Sequence, residues 1–323
     1  MYNQPSKNNW FGRIDSETDI LSFRFHQQVQ LVDLPSVTHS FDVKKTFGLI
    51  GFQCDEGVRR NQGRRGAAKA PDAVRQAIGK LPWHLPGNAQ VLDIGDIECL
   101  GDRMEEAQAE LGKAVSSLLN NKICPIIIGG GHETFYGHYL GAREFMGPAA
   151  RLGIINIDAH FDMRPYDQES SSGTMFKQIL DQDQNCGYLC LGIQKLGNTA
   201  ALFETAENYN VKYVMEENLA SSDIAKAFNE VDSFASQYDA TILTLCTDVI
   251  GSAYAPGVSA PAPFGLDPKV VRLLIQHIAS KDKTLSFDVC EVNPDLDENK
   301  KTVTLAAHLI NTALMNFEYS RGG

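Results

Sequence analysis

The sequence predicts an α/β protein in which a mainly parallel sheet of about eight strands lies between two layers of helices. Short apolar runs alternate with longer helix-like segments along most of the chain, and this order builds parallel sheets that are covered by helices. Several of the runs contain almost only apolar residues, as strands that are buried on both faces do. These two observations together predict a three-layer α/β/α fold.

The individual elements follow from the same patterns. Apolar runs between turn-forming residues predict strands at 47–52, 90–94, 124–128, 152–157, 188–193, 211–214, 241–247 and 285–290. Helical spacing of apolar residues predicts helices at 67–78, 105–119, 134–143, 174–180, 200–209, 223–234, 268–279 and 303–315. Residues 1–45 do not fit the alternation, so we expect an N-terminal extension that packs on the outside. No shift in composition marks a boundary, which favours one domain over residues 1–323.

The composition narrows the classes of function. The chain has 323 residues, 43% of them hydrophobic, and a net charge of −11. Such an acidic protein is not expected to bind nucleic acid or a membrane surface, because phosphate binding requires a basic face. The first residues lack the apolar core of a signal peptide, and no apolar run is long enough to span a bilayer. Seven scattered cysteines indicate free thiols in the cytoplasm rather than a disulfide framework.

The most informative motif follows the apolar run at 152–157. Asp158, His160 and Asp162 alternate with apolar residues, and in a continuing strand their side chains would project to one side. The run is predicted to end at the carboxyl edge of the sheet, where open α/β proteins place their sites. Carboxylates combined with an imidazole suit a divalent ion such as Mn²⁺, Zn²⁺ or Fe²⁺. The motif therefore predicts a metal site.

Three other strand ends carry polar residues. His132 follows three glycines after the run at 124–128, Asp248 follows the run at 241–247, and Glu291 follows the run at 285–290. Each has an ordinary alternative: a phosphate loop or helix start for His132, a helix cap for Asp248, and a solvated carboxylate for Glu291. Because parallel strands end at the same edge of a sheet, we expect these side chains to lie near the Asp158 motif.

These four strand-end motifs resemble those of the ureohydrolases, the arginase and agmatinase superfamily. The superfamily pattern is Gly-Gly-x-His, Asp-Ala-His-x-Asp, Ser-x-Asp-x-Asp with a Pro-Gly tail, and a Glu before x-x-Pro, and this order is reproduced from His132 to Pro294. The resemblance implies an arginase-like fold, two Mn²⁺ ions, a homo-oligomer (trimer or hexamer) and hydrolysis of a guanidine or amidine carbon. It implies metal ligands at His132, Asp158, His160, Asp162 and Asp248. It also implies that Asp162 accepts a hydrogen bond from the nucleophile and that Glu291 holds the cationic nitrogens of the substrate.

Two positions depart from the superfamily pattern. Cys246 stands where the first Asp of the Asp-x-Asp segment belongs, and Ser172 stands where arginases and agmatinases carry a histidine. A thiolate can ligate Mn²⁺ but suits softer ions better, so Cys246 is either a ligand of the second metal or a buried inert thiol. We further hypothesise that Cys246 forms a disulfide with Cys54 when metal is absent.

Three segments are most similar to the formimidoylglutamase branch of the superfamily: residues 10–15 with 25–27, residues 55–67, and residues 171–176. The resemblance implies hydrolysis of N-formimidoyl-L-glutamate to L-glutamate and formamide in histidine degradation. Arginine binds carboxylates in a bidentate manner, so we predict that the substrate and its two carboxylates are bound by Arg59, Arg60, Asn61, Arg64, Arg65 and Ser172. A solvated basic loop is the simpler alternative. The alternative functions are a guanidino-acid or agmatine-type ureohydrolase and a non-catalytic metal-binding relative.

Overall fold

A central sheet organises the computed structural model, which describes residues 1–37, 45–167, 169–220, 222 and 224–318. Its strands are β1 (Tyr2–Asn3), β2 (Gln30–Leu31), β3 (Lys45–Gln53), β4 (Ala89–Glu98), β5 (Cys124–Ile128), β6 (Leu152–Ile157), β7 (Cys186–Ile193), β8 (Lys212–Met215), β9 (Ala240–Cys246) and β10 (Thr284–Cys290). They lie in the order β1-β4-β3-β5-β10-β9-β6-β7-β8, with β2 paired to β4. β1 is antiparallel to β4, and the other strand pairs are parallel.

Helices cover both faces of the sheet. They are α1 (Phe25–Gln28), α2 (Glu56–Arg60), α3 (Ala70–Ile78), α4 (Met104–Asn120), α5 (Thr134–Met146), α6 (Met175–Gln182), α7 (Ala200–Asn208), α8 (Ile224–Ser236), α9 (Pro268–Ala279) and α10 (Lys301–Asn316). One apolar core lies between the sheet and α3, α8, α9 and α10, and the other lies between the sheet and α4 to α7. Successive strand residues alternate between the two cores, as Ile126 and Ile127 do on β5, because side chains alternate along a strand.

The predicted fold class is confirmed, and all eight predicted strands are present. The two additional strands, β1 and β2, have two residues each, so they are too short to show an alternating pattern. Predicted helix 67–78 begins as a 3₁₀ turn, Ala67–Lys69, before α3 starts. Predicted helix 223–234 corresponds to α8, and its first position lies outside the described residues. Within the described part of the chain, no helix is long and apolar enough to cross a membrane.

The N-terminal segment is attached to the edge of the sheet by a buried arginine cluster, which consists of Trp10, Arg75, Asp93 and Asp96. The indole Nε1 of Trp10 donates to Asp93 Oδ2 at 2.7 Å. Arg75, which is fully buried, donates to Asp93 Oδ1 at 3.0 Å and to Asp96 Oδ1 at 2.6 Å. Residues 2–3, 10 and 30–31 of the N-terminal segment therefore contact β4, and residues 38–44 lie outside the described part.

Candidate active site

The predicted metal ligands lie above the ends of four adjacent strands. β5, β10, β9 and β6 are neighbours at the centre of the sheet, and they end at Ile128, Cys290, Cys246 and Ile157. His132, Glu291, Asp248 and Asp158 follow these ends by one to four residues. The parallel direction of the strands therefore collects residues that are far apart in the sequence at one rim.

The side chains after β6 converge for a different reason from the one the alternation predicts. The strand ends at Ile157, so the assumption that it continues through Asp162 is wrong. Asp158 Oδ1 instead accepts a hydrogen bond from the His160 backbone N–H at 2.9 Å, which closes a turn. Asp162 has a φ of 48°, a left-handed conformation that is uncommon outside glycine. Strain of this kind is typical of functional sites, where the surrounding structure enforces it.

One group of donor atoms forms around His132. Its Nδ1 lies 3.0 Å from Asp158 Oδ2 and 3.0 Å from Asp162 Oδ2. The ligand atoms of His132, Asp158 and Cys246 all lie within 4.8 Å of one another. Adjacent ligands of an octahedral ion with bonds of roughly 2.1 Å are about 3.0 Å apart, so this spacing fits a bound divalent cation.

A second group forms around His160. Its Nδ1 lies 3.5 Å from Asp158 Oδ1 and 3.3 Å from Asp248 Oδ2. Asp158 therefore faces the first group with one oxygen and the second with the other. The buried Asp248 Oδ1 has no hydrogen-bond partner among the described residues, and such an atom is costly unless a cation pairs with it. Two divalent ions that share Asp158 fit this arrangement.

The potential of the site is strongly negative. Burial acts against the charged form of His132, but the adjacent Asp158 and Asp162 carboxylates raise its pKa well above the ordinary value. Burial likewise opposes the charge on His160, and Asp248 and Asp158 raise its pKa well above the ordinary value. Burial raises the pKa of the Cys246 thiol, and the surrounding carboxylates add to the effect. The field that favours these protons would also attract a divalent cation.

Glu291 lies beside the two donor groups and is held in a strained backbone conformation. Its φ is 66°, and its Oε1 accepts the His132 backbone N–H at 2.9 Å. Burial raises the pKa of Glu291 to about 8, and the charges of Glu133 and Asp248 contribute. A buried carboxylate of this kind is stabilised by a cation that enters the site, which agrees with the predicted contact to the cationic nitrogens of a substrate.

These residues open into a small cleft of about 100 Å³. His132, His160, Asp162, Cys246, Asp248 and Glu291 line it, together with the predicted substrate-binding residues Asn61 and Ser172. The cleft is also lined by Arg164, which the sequence analysis missed. Arg164 comes two residues after Asp162, at the same spacing that separates Asp158, His160 and Asp162. This repeated spacing was the available signal.

The four arginines of the 59–65 segment point their guanidinium groups elsewhere. Arg59 donates to Glu56 at 2.6 and 2.7 Å, and Arg60 donates to Glu56 and Glu105. Arg64 donates to backbone carbonyl oxygens of residues 258 and 259, and Arg65 donates to Asp55. None of the four lines the cleft in the described structure. Their contacts fix the shape of the loop, so the prediction that they clamp the substrate carboxylates is not supported.

The thiol of Cys54 has a different neighbour from the one hypothesised. All seven cysteines are free. β3 and β4 pair Gln53 with Glu98, which places Cys54 beside Cys99 at the next position. A hydrogen bond with the Cys99 thiol, followed by burial, raises the pKa of Cys54. The disulfide between Cys54 and Cys246 stays a prediction, and Cys99 is a competing partner for Cys54.

Comparison with known proteins agrees with this geometry. The model of the arginase family matches residues 45–316, which include every strand end of the site. The chain belongs to the arginase family. It is 57% identical to a formimidoylglutamase of Geobacillus sp. strain WCH70, over 98% of this chain and 97% of the relative. The family assignment thus covers the whole described site.

Two solved structures share the fold. The formimidoylglutamase from Bacillus subtilis has a TM-score of 0.77 and 22% identity, over 93% of this chain and 94% of that chain. The formiminoglutamase from Trypanosoma cruzi, whose structure was solved with Mn²⁺, has a TM-score of 0.76 and 24% identity, over 90% of this chain and 99% of that chain. At these identities the two structures show the arginase-like fold alone.

Proposed function

We propose that this chain hydrolyses N-formimidoyl-L-glutamate to L-glutamate and formamide, as a binuclear-metal enzyme of histidine degradation. The substrate has one amidine and two carboxylates, so its site needs an acidic end and a basic end. The described cleft is lined by residues of both kinds, the carboxylates Glu291, Asp162 and Asp248 and the arginine Arg164. The relative from Geobacillus, 57% identical over nearly the full length, carries the same named activity.

Arg164 is the single observation that carries the choice of a carboxylate-bearing substrate over agmatine. It is the only lysine or arginine among the described residues that line the cleft. The side chain is exposed, and no hydrogen bond or ion pair of its guanidinium is found in the described part of the chain. The free guanidinium can therefore bind a substrate carboxylate in a bidentate manner. Agmatine has no carboxylate, and its site would have little use for such a group.

The reaction follows from the positions of the remaining side chains. His132, Asp158, Asp162 and Cys246 would hold one Mn²⁺ ion, and Asp158, His160 and Asp248 would hold the other. The bound ions would supply a nucleophilic hydroxide at neutral pH. Asp162, which lines the cleft, orients that nucleophile by accepting a hydrogen bond. Glu291 pairs with the amidinium and fixes the carbon to be attacked, while Asn61 and Ser172 offer polar contacts along the cleft wall.

Product analysis tests this function directly. The purified protein is assayed with Mn²⁺ under reducing conditions for release of formamide from N-formimidoylglutamate and of urea from agmatine and guanidinobutyrate. Formamide release from N-formimidoylglutamate alone is the expected result. Urea release would establish a ureohydrolase instead, and the absence of both products would favour a non-catalytic metal-binding relative.

The role of Arg164 has its own test. Arg164→Ala should raise KM for N-formimidoylglutamate by about 10- to 100-fold, the equivalent of a charged hydrogen bond of roughly 1.5–3 kcal/mol. A simple N-alkylformamidine without carboxylates should show no such change. Arg59→Ala is the matched control, because its guanidinium pairs with Glu56. A larger rise in KM in Arg59→Ala than in Arg164→Ala would show that the 59–65 segment, and not Arg164, selects the substrate.

We also propose a cytoplasmic location and a homo-oligomer, either a trimer or a hexamer. The seven free cysteines, five of them buried in strands or at their ends, suit a reducing compartment. The oligomer is proposed from the family resemblance, and light scattering of the purified protein measures it.

A further inference from the structure

A chain of hydrogen bonds extends from the candidate metal centre into the core, behind His132. It consists of Ser286, His138, Asp288, Thr244 and His132, and it is called the His138 chain below. Four of the five residues have no exposed surface, and His132 is 1% exposed. The metal-ligand arrangement described above uses only the last member, His132, so the function of the other four is open.

The distances in the His138 chain are short throughout. His138 Nε2 lies 2.5 Å from Ser286 Oγ, and His138 Nδ1 lies 2.5 Å from Asp288 Oδ2. Thr244 Oγ1 donates to Asp288 Oδ1 at 2.7 Å and lies 3.0 Å from His132 Nε2. Asp288 and Thr244 are register partners on β10 and β9. The sheet therefore fixes the middle of the chain, and α5 carries His138.

The direction of these bonds determines which nitrogen of His132 can face a metal. The Thr244 hydroxyl donates to Asp288 Oδ1. The oxygen of Thr244 then accepts the Nε2 proton of His132. This arrangement leaves the Nδ1 lone pair of His132 directed at Asp158 and Asp162, which lie 3.0 Å away. If the direction were reversed, Nδ1 would carry the proton and could not ligate.

His138 is the group that sets this direction. Asp288 has no exposed surface, and its only ion-pair partner in the described structure is His138. The Nδ1–H of His138 can only donate, so the adjacent Asp288 oxygen can only accept. The Ser286 hydroxyl lies 2.5 Å from the other ring nitrogen and can donate to it, which suits a proton on Nδ1. Phe135 lies beside both imidazole rings in T-shaped arrangements, with ring centroids 6.4 Å from His132 and 5.6 Å from His138.

We infer that His138 is a positioning residue for the metal centre, which acts through Asp288 and Thr244 to hold His132 in the tautomer that binds a divalent cation. The inference rests on the proposed function. A ligand histidine that is oriented in this way loses metal affinity, typically by about 10- to 100-fold, when the outer partner is removed. The ligand atoms of His132, Asp288 and Cys290 also lie within 4.8 Å of one another, but the oxygens of Asp288 already accept from Thr244, Cys290 and His138, which favours the positioning role.

Mn²⁺ titration tests the inference without relying on turnover. Binding is followed through the electron paramagnetic resonance signal of free hydrated Mn²⁺ in wild-type protein and three variants. His138→Leu removes the donor and should weaken Mn²⁺ binding by about 10- to 100-fold. His138→Asn keeps an N–H at the position of Nδ1 and should bind within about threefold of wild type. Tyr139→Phe removes a hydroxyl from the adjacent residue of α5, where it bonds to Asp183, and should not change the affinity.

The outcomes separate the two proposals. If wild-type protein binds no Mn²⁺, the proposed metallohydrolase function fails. If wild-type protein binds Mn²⁺ and His138→Leu binds it equally well, the positioning role is refuted. Should His138→Leu not fold, as judged by thermal melting of the metal-free protein, the comparison moves to His138→Asn and His138→Gln, which both keep a buried amide. Only Asn places its N–H at the δ position, so equal affinities of these two variants would also refute the inference.

Discussion

Two buried clusters of charged residues lie on the same sheet and differ in the cation that balances them. In the buried arginine cluster, Asp93 and Asp96 are paired with Arg75. At the candidate metal centre, the ion pairs found for Asp158, Asp162 and Asp248 in the described structure all involve histidines. A buried carboxylate is costly without a cation. The first cluster supplies its own cation and stabilises the fold, and the second depends on a cation from outside.

The electrostatics of the two clusters show the same difference. Burial opposes the charge on Arg75, but Asp93 and Asp96 raise its pKa above the ordinary value, so the guanidinium is permanently charged. The raised pKa values of His132 and His160 favour protons on these rings in the metal-free protein, and a bound metal ion would displace such protons, because ligand imidazoles must be neutral. Mutations in the arginine cluster are therefore expected to change the free energy of unfolding. Mutations at the metal centre are expected to change Mn²⁺ binding and turnover.

The largest expected effect comes from Asp158→Asn. Asp158 faces one donor group with each oxygen, so its loss should disturb both metal positions. We expect turnover to fall by at least about 1,000-fold, or roughly 4 kcal/mol, and the bound Mn²⁺ to fall below two per chain by atomic absorption. Thermal melting of the metal-free variant controls for folding. If the variant kept both ions and full turnover, Asp158 would not bridge the two metal positions.

Mutation of the buried arginine cluster should lower the stability of the protein without changing its affinity for Mn²⁺. Arg75→Met leaves buried Asp93 and Asp96 without their cation, and breaking a buried pair in this way costs about 3–5 kcal/mol of unfolding free energy. The measurement is urea unfolding of the metal-free protein. Lys69→Met is the control, because its pair with Asp295 is exposed and should contribute no more than about 1 kcal/mol. Mn²⁺ affinity of folded Arg75→Met should equal that of wild type, and weaker binding would show that the two clusters are coupled.

The sequence predicts those site residues whose positions are determined by the end of a strand. His132, Asp158, Asp248 and Glu291 follow apolar runs, and a parallel sheet collects such positions at one rim. The turn after β6 was not predictable from alternation, because it depends on the hydrogen bond from the His160 N–H to Asp158 Oδ1. The sequence does not predict the short strands β1 and β2 for a related reason, because they form only by pairing at the edge of the folded sheet.

Charge on a loop is the least predictable feature of the site. The number of arginines in the 59–65 segment suggested a carboxylate clamp, but sequence alone does not show which guanidinium groups already have partners. Arg60 is occupied by Glu56 and Glu105, and Glu105 lies on α4, far away in the sequence. Arg164 has no comparable cluster around it in the sequence, although it is the arginine that lines the cleft. Tertiary contacts determine which charged side chain stays unpaired and can bind a ligand.

Glu291 is a single buried carboxylate. The cation that we expect to pair with it is the substrate. Its carboxylate lies in the cleft beside the two donor groups without being a member of either. Glu291→Gln should therefore keep Mn²⁺ and lose activity, by an amount equivalent to roughly 1.5–3 kcal/mol for a charged hydrogen-bonded pair. Metal analysis and turnover of the same preparation give the result, and loss of Mn²⁺ would place Glu291 among the ligands.

The same variant has a pH signature in the metal-free protein. Burial raises the pKa of Glu291 from 4.5 to about 8, so the folded state holds this proton more tightly than the unfolded state. The corresponding stability is present below about pH 4.5 and is lost as the pH rises through about 8. Glutamine cannot ionise, so Glu291→Gln should become more stable relative to wild type as the pH rises from 5 to about 8.5. A melting-temperature difference that is constant over this range would show that Glu291 is already paired with a cation inside the protein, as Asp93 is with Arg75.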